Sequence, residues 1–324
     1  MGRFVALVVG SSVALSLIAG PASAASYKEP ALTVSADRLA AGFHCPWPVT
    51  KKGGAMPVLL VTGTGYTGEE AFLLGSGALH TLAKPVCYVD FPYRTTGDIQ
   101  TSVQYLVAGI RALYQQAGRS IAIYGISQGG LLPRWALTYW PSLRKMVSDV
   151  IAVAGTQHGS TIIGPCSSSK PCVPAEWQQL AGSKLLNAIN REPDESPGST
   201  AWTTIRTSTD EVVQPQTGAN PTSALKGATN ILIQDVCPGR SVSHVGSAVD
   251  SVSFAAAKDA MSNPGPAKVS RLPASVCSSL YAPGITWARL ATPMAGLVPD
   301  PQTTAPLVNA EPAVQSYALK TVPK

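Results

Sequence analysis

The sequence predicts an α/β protein, a mostly parallel central sheet flanked by helices, and three observations predict it. Short β-branched apolar runs alternate with longer segments of helical period, the pattern of strands joined by covering helices. One such run, Ser120-Ile121-Ala122-Ile123-Tyr124, leads directly into Gly125-Ile126-Ser127-Gln128-Gly129 and then into a helix-like stretch over residues 130–139. Finally, only 13% of the 324 residues are charged, which leaves enough apolar sequence for one large core.

The elements follow in order. Arg3, an apolar stretch over residues 4–18 and the small residues Ala22-Ser23-Ala24 form the pattern of an export signal, with cleavage expected after Ala24. Gly10, Ser11, Ser12, Ser16 and Gly20 interrupt the stretch, so it falls short of the roughly 20 apolar residues a membrane span needs. A secreted single domain over residues 25–324, without a transmembrane segment, is therefore expected. Strands are predicted near 57–61, 85–91, 120–125, 147–154, 203–207 and 231–236. Val103, Leu106, Val107, Ile110 and Leu113 recur at three and four, placing an amphipathic helix over about 99–116 that Gly118 ends. Residues 247–261 also read as helix. Trp177, Leu180, Leu185, Leu186 and Ile189 lie between two strands, where a small helical cap of about 160–200 fits. Beyond Cys277 the chain turns Pro- and Ala-rich, which predicts a tail over about 282–324 that wraps the body without joining the sheet. No internal repeat is evident.

Composition removes several function classes. The net charge is +6 and no stripe of Lys or Arg carries interleaved aromatics, so no nucleic-acid partner is expected. All six cysteines, Cys45, Cys87, Cys166, Cys172, Cys237 and Cys277, lie beyond the export signal, and an even number suits three disulfides in an oxidising compartment. Their spacing leaves the pairing open, although the turn-forming spacer between Cys166 and Cys172 favours folding one back on the other. No histidine stands at ligand spacing beside them, so no metal and no other cofactor is expected.

Gly125-Ile126-Ser127-Gln128-Gly129 has the form of a nucleophile elbow, a sharp strand-to-helix turn that needs glycines where side chains would collide and leaves its serine exposed. Serine is a poor nucleophile unaided, so Ser127 requires a base to take its proton and an acid to orient that base. His244 sits in a loop after the last predicted strand and is the expected base. His158, with Gln157 beside it, is the runner-up and more naturally shapes the substrate pocket. His44 and His80 are poorly placed. The expected acid is Asp210 at a strand end, with Glu211 its rival, whereas Asp235 is read as lying within a strand. The order Ser, Asp, His matches an α/β-hydrolase. Donors for a developing oxyanion are expected from the turn Gly63-Thr64-Gly65, including the Thr64 hydroxyl, and from the backbone N–H of Gln128. The Gly-rich turn lacks the Gly-Lys-Ser/Thr of a phosphate loop.

The stretches LLVTGTGYTG at 59–68, SQGGL at 127–131, WQQLAGSKL at 177–185 and STDEVVQPQ at 208–216 resemble the Candida antarctica lipase B-like family of secreted α/β-hydrolases, from about Cys45 to Cys277. The resemblance implies Ser127 as nucleophile, Asp210 as acid, His244 as base and Thr64 with Gln128 as the oxyanion hole. It also implies the pairs Cys45 with Cys87 and Cys237 with Cys277. Cys166 and Cys172 have no counterpart in the family pattern, and its last disulfide is missing here. Where the family carries a bulky tryptophan before its serine this chain has Ile126, which implies a roomier pocket for the alcohol part of an ester.

The expectation is thus a secreted, monomeric serine ester hydrolase, a lipase or carboxylesterase acting on an ester or lipid substrate at a lipid–water or polymer interface. A polyester depolymerase or an acyltransferase with the same triad is the alternative within the class. A non-enzymatic envelope-binding protein is the alternative outside it, and it predicts a missing triad member, whereas a candidate for each is present.

Overall fold

A computed structural model describes residues 1–2, 27–51, 53–82, 84–285, 303–320 and 322. Apart from its first two residues, the expected export signal lies outside these, as does residues 286–302 of the expected tail.

Among the described residues seven strands form one sheet: β1 (Phe43–His44), β2 (Val58–Val61), β3 (Val86–Val89), β4 (Ile121–Ile126), β5 (Val147–Val153), β6 (Ala201–Arg206) and β7 (Thr229–Leu232), in the order β1-β3-β2-β4-β5-β6-β7. All neighbours are parallel except β1, which pairs antiparallel with β3 at one edge. The helices are α1 (Ala36–Ala41), α2 (Gly68–His80), α3 (Ile99–Ala117), α4 (Gln128–Tyr139), α5 (Pro174–Gln179), α6 (Lys184–Asn190), α7 (Ile233–Val236) and α8 (Ser251–Ser262).

Both faces of a parallel sheet are covered, so its strands are buried throughout, and the pleat sends alternate residues to opposite sides. β2 shows this: Leu59 and Val61 join Leu106, Ile110 and Trp135 of α3 and α4 in one core, while Val58 and Leu60 join Val252, Ala256 and Ala260 of α8 in the other. Local signals set the helix ends. Asp98 accepts from Gln100 N at the start of α3, and Gly118 closes it at φ 63°, a left-handed conformation that glycine adopts without steric cost. Thr67 and Glu70 form a reciprocal capping box on α2.

Two expected elements differ, and one strand is additional. The run over 231–236 ends as a strand at Leu232 and continues as the single turn α7, so Asp235 is helical and not in a strand. A short apolar run carries no period that separates the two states. The segment 247–261 divides at Asp250, which ends a 3-10 turn and caps α8 by accepting from Val252 N at 2.8 Å. β1 was not expected, since two residues show no alternation.

Within 160–200, Leu185, Leu186 and Ile189 of α6 belong to the same core as α3 and α4. The segment is thus anchored to the body. Described tail residues also pack on that core: Ala318 and Val322 are members of it, and Tyr317 OH accepts from Trp135 Nε1 at 3.0 Å. Three disulfides join Cys45 to Cys87, Cys166 to Cys172 and Cys237 to Cys277.

Candidate active site

β4 delivers Ser127 to the carboxyl edge of the sheet, where a tight turn starts α4. Ser127 adopts φ 56° and ψ −126°, a strained conformation for a non-glycine residue. Its N–H is held by Val153 O at 2.9 Å, and its own carbonyl accepts from Gly130 N at 2.8 Å. A Cβ on Gly125 would collide with the Gly129 carbonyl, and one on Gly129 with the Val61 carbonyl. The glycines at these positions are therefore what permits the turn.

Two loops from neighbouring strand ends meet over it. Asp210, after β6, takes N–H bonds from Val212 and Val213 onto Oδ1 at 2.9 and 2.7 Å. His244 Nδ1 lies 2.8 Å from Asp210 Oδ2 and 3.0 Å from Oδ1. A carboxylate already accepting two N–H bonds stays an acceptor, so Nδ1 carries the ring proton toward it and Nε2 is left as the free nitrogen. Glu211 serves elsewhere: its Oε2 accepts the backbone N–H of His244 at 2.8 Å. Thr209 Oγ1 donates to Val242 O at 2.8 Å and accepts from Val242 N at 2.9 Å. Acid loop and histidine loop are thus tied together at both ends. Both Asp210 and His244 are buried.

The turn after β2 approaches from the other side. A Cβ at Gly63 would lie 2.9 Å from Ser127 Cβ, so glycine lets the two turns meet. Thr64 Oγ1 donates to Gln128 Oε1 at 2.6 Å and accepts from Gln179 Nε2 at 2.9 Å. Gln179 is itself fixed by Thr156 Oγ1, which donates to its Oε1 at 3.0 Å. Behind the turn, Arg94 Nε donates to Gly65 O at 3.0 Å and its Nη2 spans both Glu70 oxygens at 2.9 and 2.8 Å. Tyr93, Arg94 and Thr95 all have positive φ, at 55°, 51° and 64°, a costly left-handed run that aims Arg94 at the turn.

These side chains line a cleft of about 550 Å³, with Thr64, Tyr66, Ile126, Ser127, Gln179 and His244 in its wall. Ser127 and His244 share it without a direct hydrogen bond between them. Burial pushes the Tyr66 hydroxyl up to about 12. Glu176 also lines the cleft, and burial raises its carboxyl.

Gln157 and His158, expected to line the substrate pocket, lie outside this wall. Gln157 is fully buried and donates to Gly130 O at 2.8 Å, propping the start of α4 from beneath. His158 borders a separate cavity of about 600 Å³, where Nε2 meets Glu195 Oε1 at 3.3 Å and Nδ1 meets Thr222 O at 3.1 Å. The chain turns at Gly159, φ 85°, and carries the ring away from the serine. His44 stacks on Tyr88 at the sheet edge. Sequence reading did not single out Gln179 or Thr156; the stretch WQQLAGSKL held the signal for Gln179, while Thr156 had none.

Among the described residues, one group has ligand-type atoms close enough to hold a metal: Cys166 Sγ, Cys172 Sγ and a Glu176 oxygen, within 4.8 Å of one another. The two sulfurs are bonded to each other, so neither is a thiolate that ligates a metal.

No family model matches the chain. It is 32% identical over 305 residues to lipase B of Pseudozyma antarctica, covering 90% of this chain and 87% of that protein. In structure it is similar to lipase B of Aspergillus fumigatus, with a TM-score of 0.83 and 28% identity over 90% of this chain and 73% of the other.

Proposed function

The chain belongs to the lipase B family, and from that premise we propose that it hydrolyses carboxylic esters through an acyl-enzyme formed on Ser127. One observation carries the residue roles: the strained Ser127 opens into the same cleft as His244, whose Nδ1 is held by Asp210 at 2.8 Å.

In this reading Ser127 Oγ attacks the ester carbonyl carbon while His244 Nε2 takes its proton, and Asp210 stabilises the imidazolium that forms. The carbonyl oxygen becomes an oxyanion. The Gln128 N–H, at the first turn of α4 where no intrahelical acceptor exists, donates to it together with the Thr64 turn. The Thr64 hydroxyl joins by swinging its proton from Gln128 Oε1 to the oxyanion, with Gln179 still donating to Oγ1. Collapse expels the alcohol, which takes the proton from Nε2. Water, deprotonated by Nε2 in turn, attacks the acyl-enzyme, releasing the acid and restoring Ser127.

Intact-mass measurement after fluorophosphonate treatment tests this. One adduct on the folded protein and none on Ser127→Ala is expected; an unlabelled wild type, or a variant that still labels, overturns the nucleophile.

The alcohol part of the ester lies on the His244 side, where Ile126 and Ala71 border both the cleft and an apolar crevice of about 50 Å³ formed with Leu60, Tyr124, Ala248 and Phe254. Ile126 is read as leaving room there, so Ile126→Trp lowers the rate ratio of bulky to small alcohol esters; an unchanged ratio refutes the reading. Export is part of the same proposal, supported by the signal pattern and the three disulfides, and N-terminal sequencing of secreted protein is expected to start after Ala24. We read 25–324 as one domain, 160–200 as its cap and 282–324 as its tail. The exposed Val212 in the cleft wall, and the exposed Ile162 next to wall residue Ile163, support work against a lipid–water or polymer interface, and we read the protein as a monomer.

A further inference from the structure

Two acids stand in the wall of the cleft, Glu176 and Glu211, and Glu211 is already engaged by the His244 N–H. Glu176 stands three residues before Gln179 on α5, and residues three apart share a helix face. Gln179 touches Thr64, so this face borders the oxyanion turn and not the His244 loop. The base protonates the departing alcohol and therefore stands on the alcohol side of the tetrahedral centre. The wall reached through Gln179 and Glu176 is then the acyl side.

Nothing cationic among the described residues is paired with the Glu176 carboxylate. Its close neighbours are the sulfurs of the Cys166 to Cys172 disulfide, within 4.8 Å. That disulfide fixes the segment leading into α5, and burial beside it disfavours the charged carboxylate, with the Val173 N–H pulling the other way. A partly buried acid without a cation gains most from a ligand that supplies one.

We infer that Glu176 forms a subsite on the acyl side of the cleft for acyl chains that carry an ammonium group. The inference rests on the catalytic reading of Ser127 given above. Glu176 takes no part in bond making. It adds a charge-assisted hydrogen bond to one class of acyl chain and disfavours the purely apolar class, which leaves the carboxyl without a counter-charge.

The experiment compares kcat/KM on methyl 6-aminohexanoate and methyl 8-aminooctanoate with their alkyl isosteres, methyl heptanoate and methyl nonanoate, for wild type, Glu176→Gln and Glu176→Val. At least one amino ester is expected to be preferred by wild type over its isostere. Glu176→Gln lowers that ratio by roughly threefold to tenfold, as expected for loss of one partly screened ion pair, and Glu176→Val lowers it further by speeding the alkyl esters. Turnover of the alkyl esters with a ratio that neither substitution changes overturns the subsite and leaves the catalytic reading intact. Failure of folded wild type to cleave any of the four esters overturns the catalytic reading, and the subsite with it.

Discussion

Two regions close over the same serine and are held in different ways. The loop that carries His244 is pinned by buried polar groups: Arg240 Nη1 meets Asp250 at 3.0 and 3.2 Å and Ser251 Oγ at 2.7 Å, while its Nη2 donates to the carbonyls of Cys277 and Ser279 at 2.9 and 2.8 Å. The Cys237 to Cys277 bond clamps the same place across 40 residues of chain. The 160–200 segment is seated on the main core by Leu185, Leu186 and Ile189, but its other ties are a disulfide that spans 6 residues and a partly exposed pair between His158 and Glu195. Where the proposed mechanism passes a proton, this protein fixes geometry with buried, fully engaged groups. Where the segment read as a cap would admit substrate, its ties beyond that core seat are weaker and more exposed.

That contrast breaks most visibly at Arg240. Its side chain is 4% exposed and that of Asp250 2%, and burial raises the Asp250 carboxyl even against the pull of Arg240. Arg240→Met leaves this acid buried with its partner gone, so a loss of about 3 to 5 kcal/mol is expected from denaturant unfolding. Ester turnover falls as well, because the loop feeding His244 loses its anchor. A loss under about 1 kcal/mol, the range of a surface pair, would erase the distinction between the regions.

The staple in the other region is a smaller lever. Opening a loop of this size returns little chain entropy to the unfolded state, so Cys166→Ser with Cys172→Ser is expected to cost no more than about 2 kcal/mol. The backbone pairing of Cys172 with Val308, at 2.8 and 3.3 Å, remains to hold the chain. Alkyl ester turnover is expected to stay near wild type, with the change confined to acyl preference. Loss of all turnover in the folded double variant would show that this segment also sets the catalytic geometry.

The difference between the regions also explains what could be read from the sequence. Ser127 was legible because its turn demands glycines at fixed offsets, and Asp210 and His244 because each follows a strand run that carries its own pattern. Position in the sequence favours Asp210 with Glu211 as its rival, and in the structure Asp210 meets the ring of His244 while Glu211 meets its backbone N–H. The wall of the cleft was much less legible. Gln157 and His158 follow β5 as a pocket residue would, yet the turn at Gly159 sends one beneath Gly130 and the other into a different cavity. Gln179 and Glu176 reach the site only because α5 folds across the strand ends, a long-range arrangement that shows in the sequence for Gln179 through the stretch WQQLAGSKL and for Glu176 not at all.

The smallest expected effect is also the one whose sign follows most directly from charge. Glu195 is held down to about 2, first by its hydrogen bond with His158, and the Lys226 N–H and Arg134 add to this while burial opposes it. Its ordinary value is 4.5, so between the two values the unfolded chain binds the proton and the folded protein does not. The pair therefore stabilises the fold fully above about pH 4.5, and the contribution drains away as the pH falls toward 2. With side chains 33% and 22% exposed, solvent screening reduces it to about 1 kcal/mol. Glu195→Gln is expected to be less stable than wild type by that amount at pH 7, with the gap closing as the pH falls from 4.5 toward about 2 in urea unfolding. Ester turnover should not change, because Glu195 faces the cavity of His158 and not that of Ser127. A gap independent of pH would mean that Glu195 stabilises by packing rather than by charge, and the weaker ties of this segment would then be apolar.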